Sequence, residues 1–279
     1  MAFLQRENAR IYYEEYGKGE PIIAVHGLIE NSLYWTLTGV ADRLAERFRF
    51  ISMEMRGHGR TVVEGEPKGF DDETIGDDII ALADHIGLER FHLLTHSTGG
   101  MVACRYAMKD SGRFASMVLA DTGSFTSVIN SRPESIKKFH DRFAESFEKA
   151  TWEMMIAFLH NVPGPFFRGI AESDRREEMF NTALEMIRIN DRHVVASFVR
   201  SFYTDPDQRI EGLRKISCPV LIIYGEKDDL FIQSSRLMAK EIPGAKLLEY
   251  PGAGHMLAIE EPERFAKDLI DFYAKHPIG

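Results

Sequence analysis

The chain has 279 residues, 44% of them hydrophobic, and 34 Lys and Arg against 43 Asp and Glu give a formal net charge of -9. That length suits one substantial α/β core with an appended lobe, and the acidic balance, without an extended basic run, argues against nucleic acid as a partner. No stretch approaches the roughly 20 apolar residues of a membrane span, and Arg6 and Glu7 interrupt the N-terminal stretch before a signal peptide forms, so a cytoplasmic protein is expected.

In chain order, β-rich runs at residues 9–16, 21–27, 48–55, 91–97, 116–122, 219–225 and 245–252 read as strands, each rich in β-branched and aromatic residues and closed by turn formers. Between them, residues 33–46, 72–86, 101–109, 234–241 and 262–274 carry the apolar spacing of amphipathic helices. Several strands are apolar nearly throughout, as happens when helices cover both faces of a parallel sheet. The expectation is a doubly wound, mostly parallel α/β sheet. The two cysteines, Cys104 and Cys218, suggest neither a disulfide framework nor a metal knuckle, which fits a reducing compartment.

One interval breaks the alternation. The 96 residues 123–218 separate two consecutive strands, whereas a crossover helix with its loops needs only about 30. An insertion is expected, helical over 133–150, 151–160, 173–189 and 192–203, with a break at 161–165. The division is then a core domain of residues 1–122 and 216–279, with a helical lid over 123–215. The strand ends beneath such a lid are where open α/β sheets bind ligands.

The stretch LLTHSTGGMVACRYA, residues 93–107, ends an apolar run with a serine and follows it at once with two glycines. A serine hydroxyl is a weak nucleophile near neutral pH, so an enzyme using one must hold it clear of neighbours, beside a base and next to oxyanion donors. A sharp strand-to-helix turn does this, and small residues around it let strand and helix approach. A serine that merely caps a helix accounts for Ser97; it does not account for Gly99 and Gly100. This arrangement resembles the α/β-hydrolase superfamily, whose elbow is Gly-x-Ser-x-Gly. Here Thr95 stands where the first glycine belongs, placing a branched side chain in a crowded turn.

The resemblance extends over the whole core. It implies that Ser97 is the nucleophile, that the N–H of Thr98 is one oxyanion donor, and that the loop His26-Gly27 after the first parallel strand supplies the other from Leu28. The Arg56-Gly-His-Gly59 loop resembles the family's Arg-Gly-x-Gly loop and is read as structural, with His58 at the surface or hydrogen-bonded. Histidine is the residue whose titration suits a general base, and His255, in the Gly-rich loop before the last helix, sits where the family places it. PVLIIYGEKDD ends a strand with Gly-x-x-Asp, so Asp228 resembles the acid that fixes the tautomer of that histidine. Asp229 reads as a solvated neighbour, and Asp121, at the preceding strand end, is the competing acid. The order Ser97, Asp228, His255 is the order of the family. His92 and His96 only flank their strand. Their spacing lacks the convergence that a helix would give, and no third ligand is evident, so no metal is expected.

A serine hydrolase acting by acyl transfer on a small, apolar ester or lactone is therefore expected, without cofactor or metal. The resemblance is to small carboxylesterases, enol-lactonases and hydrolases of carbon-carbon bonds in ring-fission products. Carbon-carbon hydrolysis or perhydrolysis by the same triad is the alternative, and a ligand receptor on a hydrolase scaffold is the reading from another class. The insertion holds ten of the nineteen phenylalanines, among them Phe125, Phe143, Phe147, Phe158, Phe166 and Phe167, with Trp152 and Met154-Met155. These either line an apolar cleft or pack on one another, and both readings stay open. Arginines of the insertion, such as Arg168, Arg192 and Arg200, either bind a substrate carboxylate or form solvated faces. Natural substrate and oligomeric state are not legible in the sequence.

Overall fold

A computed structural model describes residues 2–124, 132–202 and 209–278. Nine strands form one sheet: β1 (Ala2–Gln5), β2 (Ala9–Tyr16), β3 (Glu20–Val25), β4 (Phe48–Met53), β5 (Val62–Val63), β6 (Phe91–His96), β7 (Phe114–Ala120), β8 (Val220–Gly225) and β9 (Lys246–Tyr250). The order is β1-β2-β4-β3-β6-β7-β8-β9, with β5 beside β2. Pairing is antiparallel at the β1, β2 and β5 end and parallel from β4 through β9. The fold is thus α/β with a mixed, mostly parallel sheet, as the alternation of elements predicts.

Both faces of the parallel strands are covered, which is why these strands read as apolar runs. Ile22, Ala24, Leu94, Val118, Leu221 and Ile223 face one core, shared with the helices Val40–Ala45 and Pro262–Tyr273. Ile23, Val25, Leu93, Met117, Leu119, Val220 and Ile222 face the other, under the helices Asp72–His85, Ser97–Lys109 and Ile232–Glu241. Alternate residues of one strand therefore serve different cores, as the period-2 geometry of a strand requires. The sequence reading misses β1 and β5, which have too few residues to show a pattern. It also reads residues 33–46 as one helix, where Gly39, at φ +72°, separates the helices Leu33–Thr36 and Val40–Ala45.

Between β7 and β8 lie the helices Pro133–Lys149, Trp152–Leu159, Gly164–Ala171, Arg176–Ile187, Arg192–Ser201 and the short turn Ile210–Leu213. The break expected at 161–165 is shorter than that. Gly164, at φ +58°, turns the chain, and Pro165 lies in the first turn of the next helix, where its missing N–H leaves no intrahelical bond unmade. Side-chain caps close other starts: Thr151 accepts from Met154 N at 3.2 Å, and Asp191 from His193 N at 2.8 Å. Phe125 and Tyr203 of the expected insertion lie outside the described residues.

Candidate active site at the strand ends

β6 ends at His96 and the following helix begins at Ser97, so the chain reverses direction through the serine, which stands at φ +47°. A non-glycine residue held there costs on the order of 1–3 kcal/mol and marks a place where the surroundings dictate the backbone. The neighbours of Ser97 allow the tight turn. A Cβ on Gly99 would meet His26 O at 2.5 Å, and one on Gly100 would meet Thr122 Cγ2 at 2.6 Å. Thr95, in place of the usual glycine, is fully buried, and its hydroxyl donates to Val118 O of β7 at 2.7 Å. Its polar atom is matched across the sheet, away from the reversal of the chain.

The long-range convergence is at His255. The Ser97 hydroxyl lies 3.1 Å from His255 Nε2, and His255 Nδ1 lies 2.9 Å from Asp228 Oδ2. Asp228 closes the turn after β8 with its own N–H to Gly225 O at 3.0 Å, and its Oδ1 accepts from Leu230 N at 3.3 Å. All three residues are buried, Ser97 5% exposed and His255 3%. The rings of Phe166 and Phe231 flank the imidazole, with centroids 5.1 and 5.4 Å away. The loop bearing His255 is held by Glu260, which accepts from Gly254 N at 2.6 Å and Met256 N at 3.0 Å. Gly169 of the inserted helices approaches so closely that a Cβ there would stand 2.5 Å from Gly254 N.

Asp121, the competing acid, lies beside Asp228 and is also fully buried, with φ +45°. Its Oδ1 accepts from Gly225 N at 2.9 Å, while its Oδ2 has no partner apart from the neighbouring carboxyl. Burial first, and then the charge of Asp228, push the Asp121 carboxyl well above the usual carboxylate range. Two adjacent buried carboxylates repel each other, which favours the protonated form of Asp121. Asp121, Asp228 and His255 offer ligand atoms within 4.8 Å of one another, but the imidazole donor and its carboxylate acceptor already face each other, and a cation there would have to break that bond. Asp229 is 61% exposed and pairs with Arg168 at 2.8 Å.

Leu28, Ser97 and Thr98 line one end of a cavity of about 320 Å³. Met101, Ile136, Phe139, Phe143, Phe166, Phe198, Val199, Phe202, Leu230 and Phe231 make most of the remaining wall, with Ser135 and His140 the polar additions. Burial lowers the pKa of His140, whose Nδ1 donates to Val199 O at 3.1 Å, so it presents a neutral ring. No Lys, Arg, Asp or Glu lines the cavity among the described residues. The segments outside the description, 125–131 and 203–208, contain no Lys, Arg or His.

The aromatics of the insertion thus divide. Phe143 and Phe166 face the cavity, Phe147 packs on Trp152 at 5.6 Å, Phe167 on Phe180 at 6.0 Å, and Phe158 and Met154 are about 60% exposed. The arginines serve elsewhere: Arg200 pairs with Glu148, and Arg192 donates to Phe147 O and Ala150 O.

Three buried histidines near the site are tied into hydrogen bonds. His26 donates from Nδ1 to Gly27 O at 2.8 Å and accepts Met55 N at Nε2, so burial keeps it neutral, well below its ordinary pKa. His58 is not at the surface: it is 1% exposed, bonded at Nδ1 to Arg56 O, and burial lowers its pKa to about 4. His96, read as flanking its strand, is fully buried against Glu30, with Nδ1 2.8 Å from Oε1. A lone Glu three residues after His-Gly gives no sequence signal, because its partner is 66 positions away.

A family model described as alpha/beta hydrolase fold matches residues 20–262, and the chain belongs to that family. Among its relatives is the bifunctional esterase/perhydrolase DCH of Acinetobacter calcoaceticus, 29% identical over 96% of this chain and 97% of that one. Another is a 2-hydroxy-6-oxononadienedioate/2-hydroxy-6-oxononatrienedioate hydrolase of Pseudomonas putida, 26% identical over 94% of this chain and 91% of that protein. Among solved structures, the thermophilic esterase of Thermogutta terrifontis, with malate bound, is 26% identical, with a TM-score of 0.75 over 96% of this chain and 95% of its own. No helix among the described residues is long and apolar enough to cross a membrane.

Proposed function

We propose that the protein is a serine hydrolase that transfers the acyl group of a small, apolar ester or lactone to water. The observation that carries this reading is the unbroken line of hydrogen bonds from the Ser97 hydroxyl through His255 to Asp228, opening onto a cavity with an apolar wall. In the proposed reaction His255 Nε2 takes the Ser97 proton as Oγ attacks the carbonyl carbon. The N–H groups of Leu28 and Thr98 hold the oxyanion, and the helix beginning at Ser97 adds its positive end. The imidazolium, oriented by Asp228, returns the proton to the leaving oxygen. Water, deprotonated by the same nitrogen, then attacks the acyl-enzyme, and the collapse of that intermediate releases the acid and restores Ser97. Residues 123–215 act in this reading as a lid that closes the acyl site over a core of residues 1–122 and 216–279.

The cavity argues for uncharged substrates. A carboxylate taken from water into an apolar cleft without a cation loses several kcal/mol, and the described wall provides none. This disfavours dioates such as the one named for the Pseudomonas relative, and with them carbon-carbon hydrolysis of that kind. Perhydrolysis, in which hydrogen peroxide replaces water as acceptor, is the second reading, supported by the Acinetobacter relative that combines it with esterase activity. Fluorophosphonate labelling together with p-nitrophenyl butyrate turnover tests the proposal. Both are expected in the wild type and both lost in Ser97→Ala. An unlabelled, inactive wild type would leave a binding protein on a hydrolase scaffold.

A further inference from the structure

We propose that Glu30 and His96 form a charged positioning pair that ties the loop carrying the first oxyanion donor to the loop carrying the base. The inference rests on the serine-hydrolase reading above. His96 immediately precedes Ser97, and its ring is enclosed by groups that only accept hydrogen bonds. Nδ1 lies 2.8 and 2.9 Å from the two oxygens of Glu30, and Nε2 lies 2.8 Å from the backbone oxygen of His255.

A neutral imidazole has one N–H and one lone pair. Facing an ionised Glu30, whichever tautomer it took, one nitrogen would present its lone pair to an oxygen lone pair. The imidazolium satisfies both contacts at once. Glu30 is fitted to be its counter-charge, because Oε2 also accepts the N–H of Gly27 at 2.5 Å. Burial opposes the charged ring, yet the Glu30 carboxylate and the His255 carbonyl outweigh it and raise the pKa of His96. The other groups around the ring are Tyr34, stacked on it at 4.6 Å; Asp121, with Oδ2 4.0 Å from Nε2; the His255 ring at 4.9 Å; and His26, kept neutral.

The pair therefore holds three backbone points together. Gly27, next to Leu28, is bonded to Glu30; Ser97 follows His96; and His255 gives its carbonyl to His96. Glu30 and His96 are 2% and 0% exposed and neither lines the cavity, so they touch no substrate and act through the residues they hold. A Cβ on Gly27 would meet Ser97 Cβ at 2.9 Å and Glu30 Oε2 and His96 Nδ1 at 3.0 Å, so the contact leaves little room for a side chain there.

Nitrogen-15 NMR of histidine-labelled wild type tests the charge directly. His96 is expected to keep protons on both ring nitrogens at about pH 6.5, the ordinary histidine midpoint, and to lose one in Glu30→Gln; a wild-type His96 already neutral at that pH overturns the proposal. With p-nitrophenyl butyrate, Glu30→Gln is expected to lower kcat about 10- to 100-fold, the scale of small misplacements of reacting groups, while KM stays within about threefold. His96→Gln, which keeps a donor for the His255 carbonyl but carries no charge, should lose kcat similarly and serves if Glu30→Gln does not fold. Unchanged kcat in either folded variant, with Ser97→Ala inactive, removes this inference alone; activity surviving in Ser97→Ala removes the serine-hydrolase reading instead.

Discussion

The floor and the roof of the cavity are built on opposite rules. At the floor, where β3, β6, β7 and β8 end, buried polar groups crowd together, and nearly every one is matched: Asp228 to His255, Glu30 to His96, Glu260 to two backbone amides, Thr95 to Val118. At the roof, the inserted helices offer Phe139, Phe143, Phe166, Phe198 and Phe202, which make no directional demand. The difference teaches where tolerance should lie. A polar network in a low-dielectric interior depends on each partner, whereas an apolar wall accepts changes of shape at the cost of contact area. Floor substitutions should act steeply on turnover, and roof substitutions should re-rank substrates.

The largest expected effect separates two aspartates of equal burial. Asp228→Asn should lower kcat about 10⁴-fold, as loss of the group that fixes the histidine tautomer does elsewhere. Asp121→Asn, which replaces a carboxyl, its neutral form favoured by burial, with an amide of the same shape, should stay within about threefold. Steady-state kinetics on p-nitrophenyl butyrate measure both, and the reverse ranking would hand the role of acid to Asp121.

A smaller effect belongs to the roof. Phe143→Ala should reduce kcat/KM for butyrate by about tenfold while acetate changes little, because removed apolar contact is worth about 1–3 kcal/mol to a longer acyl chain. Equal losses on the two esters would mean that Phe143 does not meet the acyl group.

The pH dependence of stability tests the floor without any substrate. His58 is held neutral, its folded pKa near 4 below the ordinary histidine value, and His26 is lowered likewise. At these two positions the unfolded chain binds more protons than the folded one below about pH 6.5, so their contribution to stability falls as pH drops toward 4, while the raised carboxyl of Asp121 acts in the opposite sense. Each such histidine contributes up to about 1.4 kcal/mol per pH unit in that window. Urea midpoints at pH 7, 6 and 5 isolate the His58 share: relative to wild type, His58→Gln should lose less stability on acidification. The smallest effect is at the elbow: Thr95→Val, losing one buried hydrogen bond, should cost about 1 kcal/mol in urea unfolding with kcat unchanged within twofold.

The strands β3, β4 and β6 to β8 were legible because parallel strands covered on both faces must be apolar nearly throughout, and that pattern is local. The elbow was legible because the two glycines that clear His26 O and Thr122, Gly99 and Gly100, are adjacent to each other and close to Ser97 in the chain. The order of Ser97, Asp228 and His255 marked those residues as candidates, but proximity was not readable from it. Only the tertiary structure brings His255 to 3.1 Å from Ser97 and sets Asp121 against Asp228, which raises the pKa of the Asp121 carboxyl. The same is true of Glu30 and His96, and of the split between phenylalanines that face the cavity and those that pack on each other. Periodicity records which side of an element is covered; which charge or ring stands opposite depends on residues tens to hundreds of positions away, where pairing leaves no local mark.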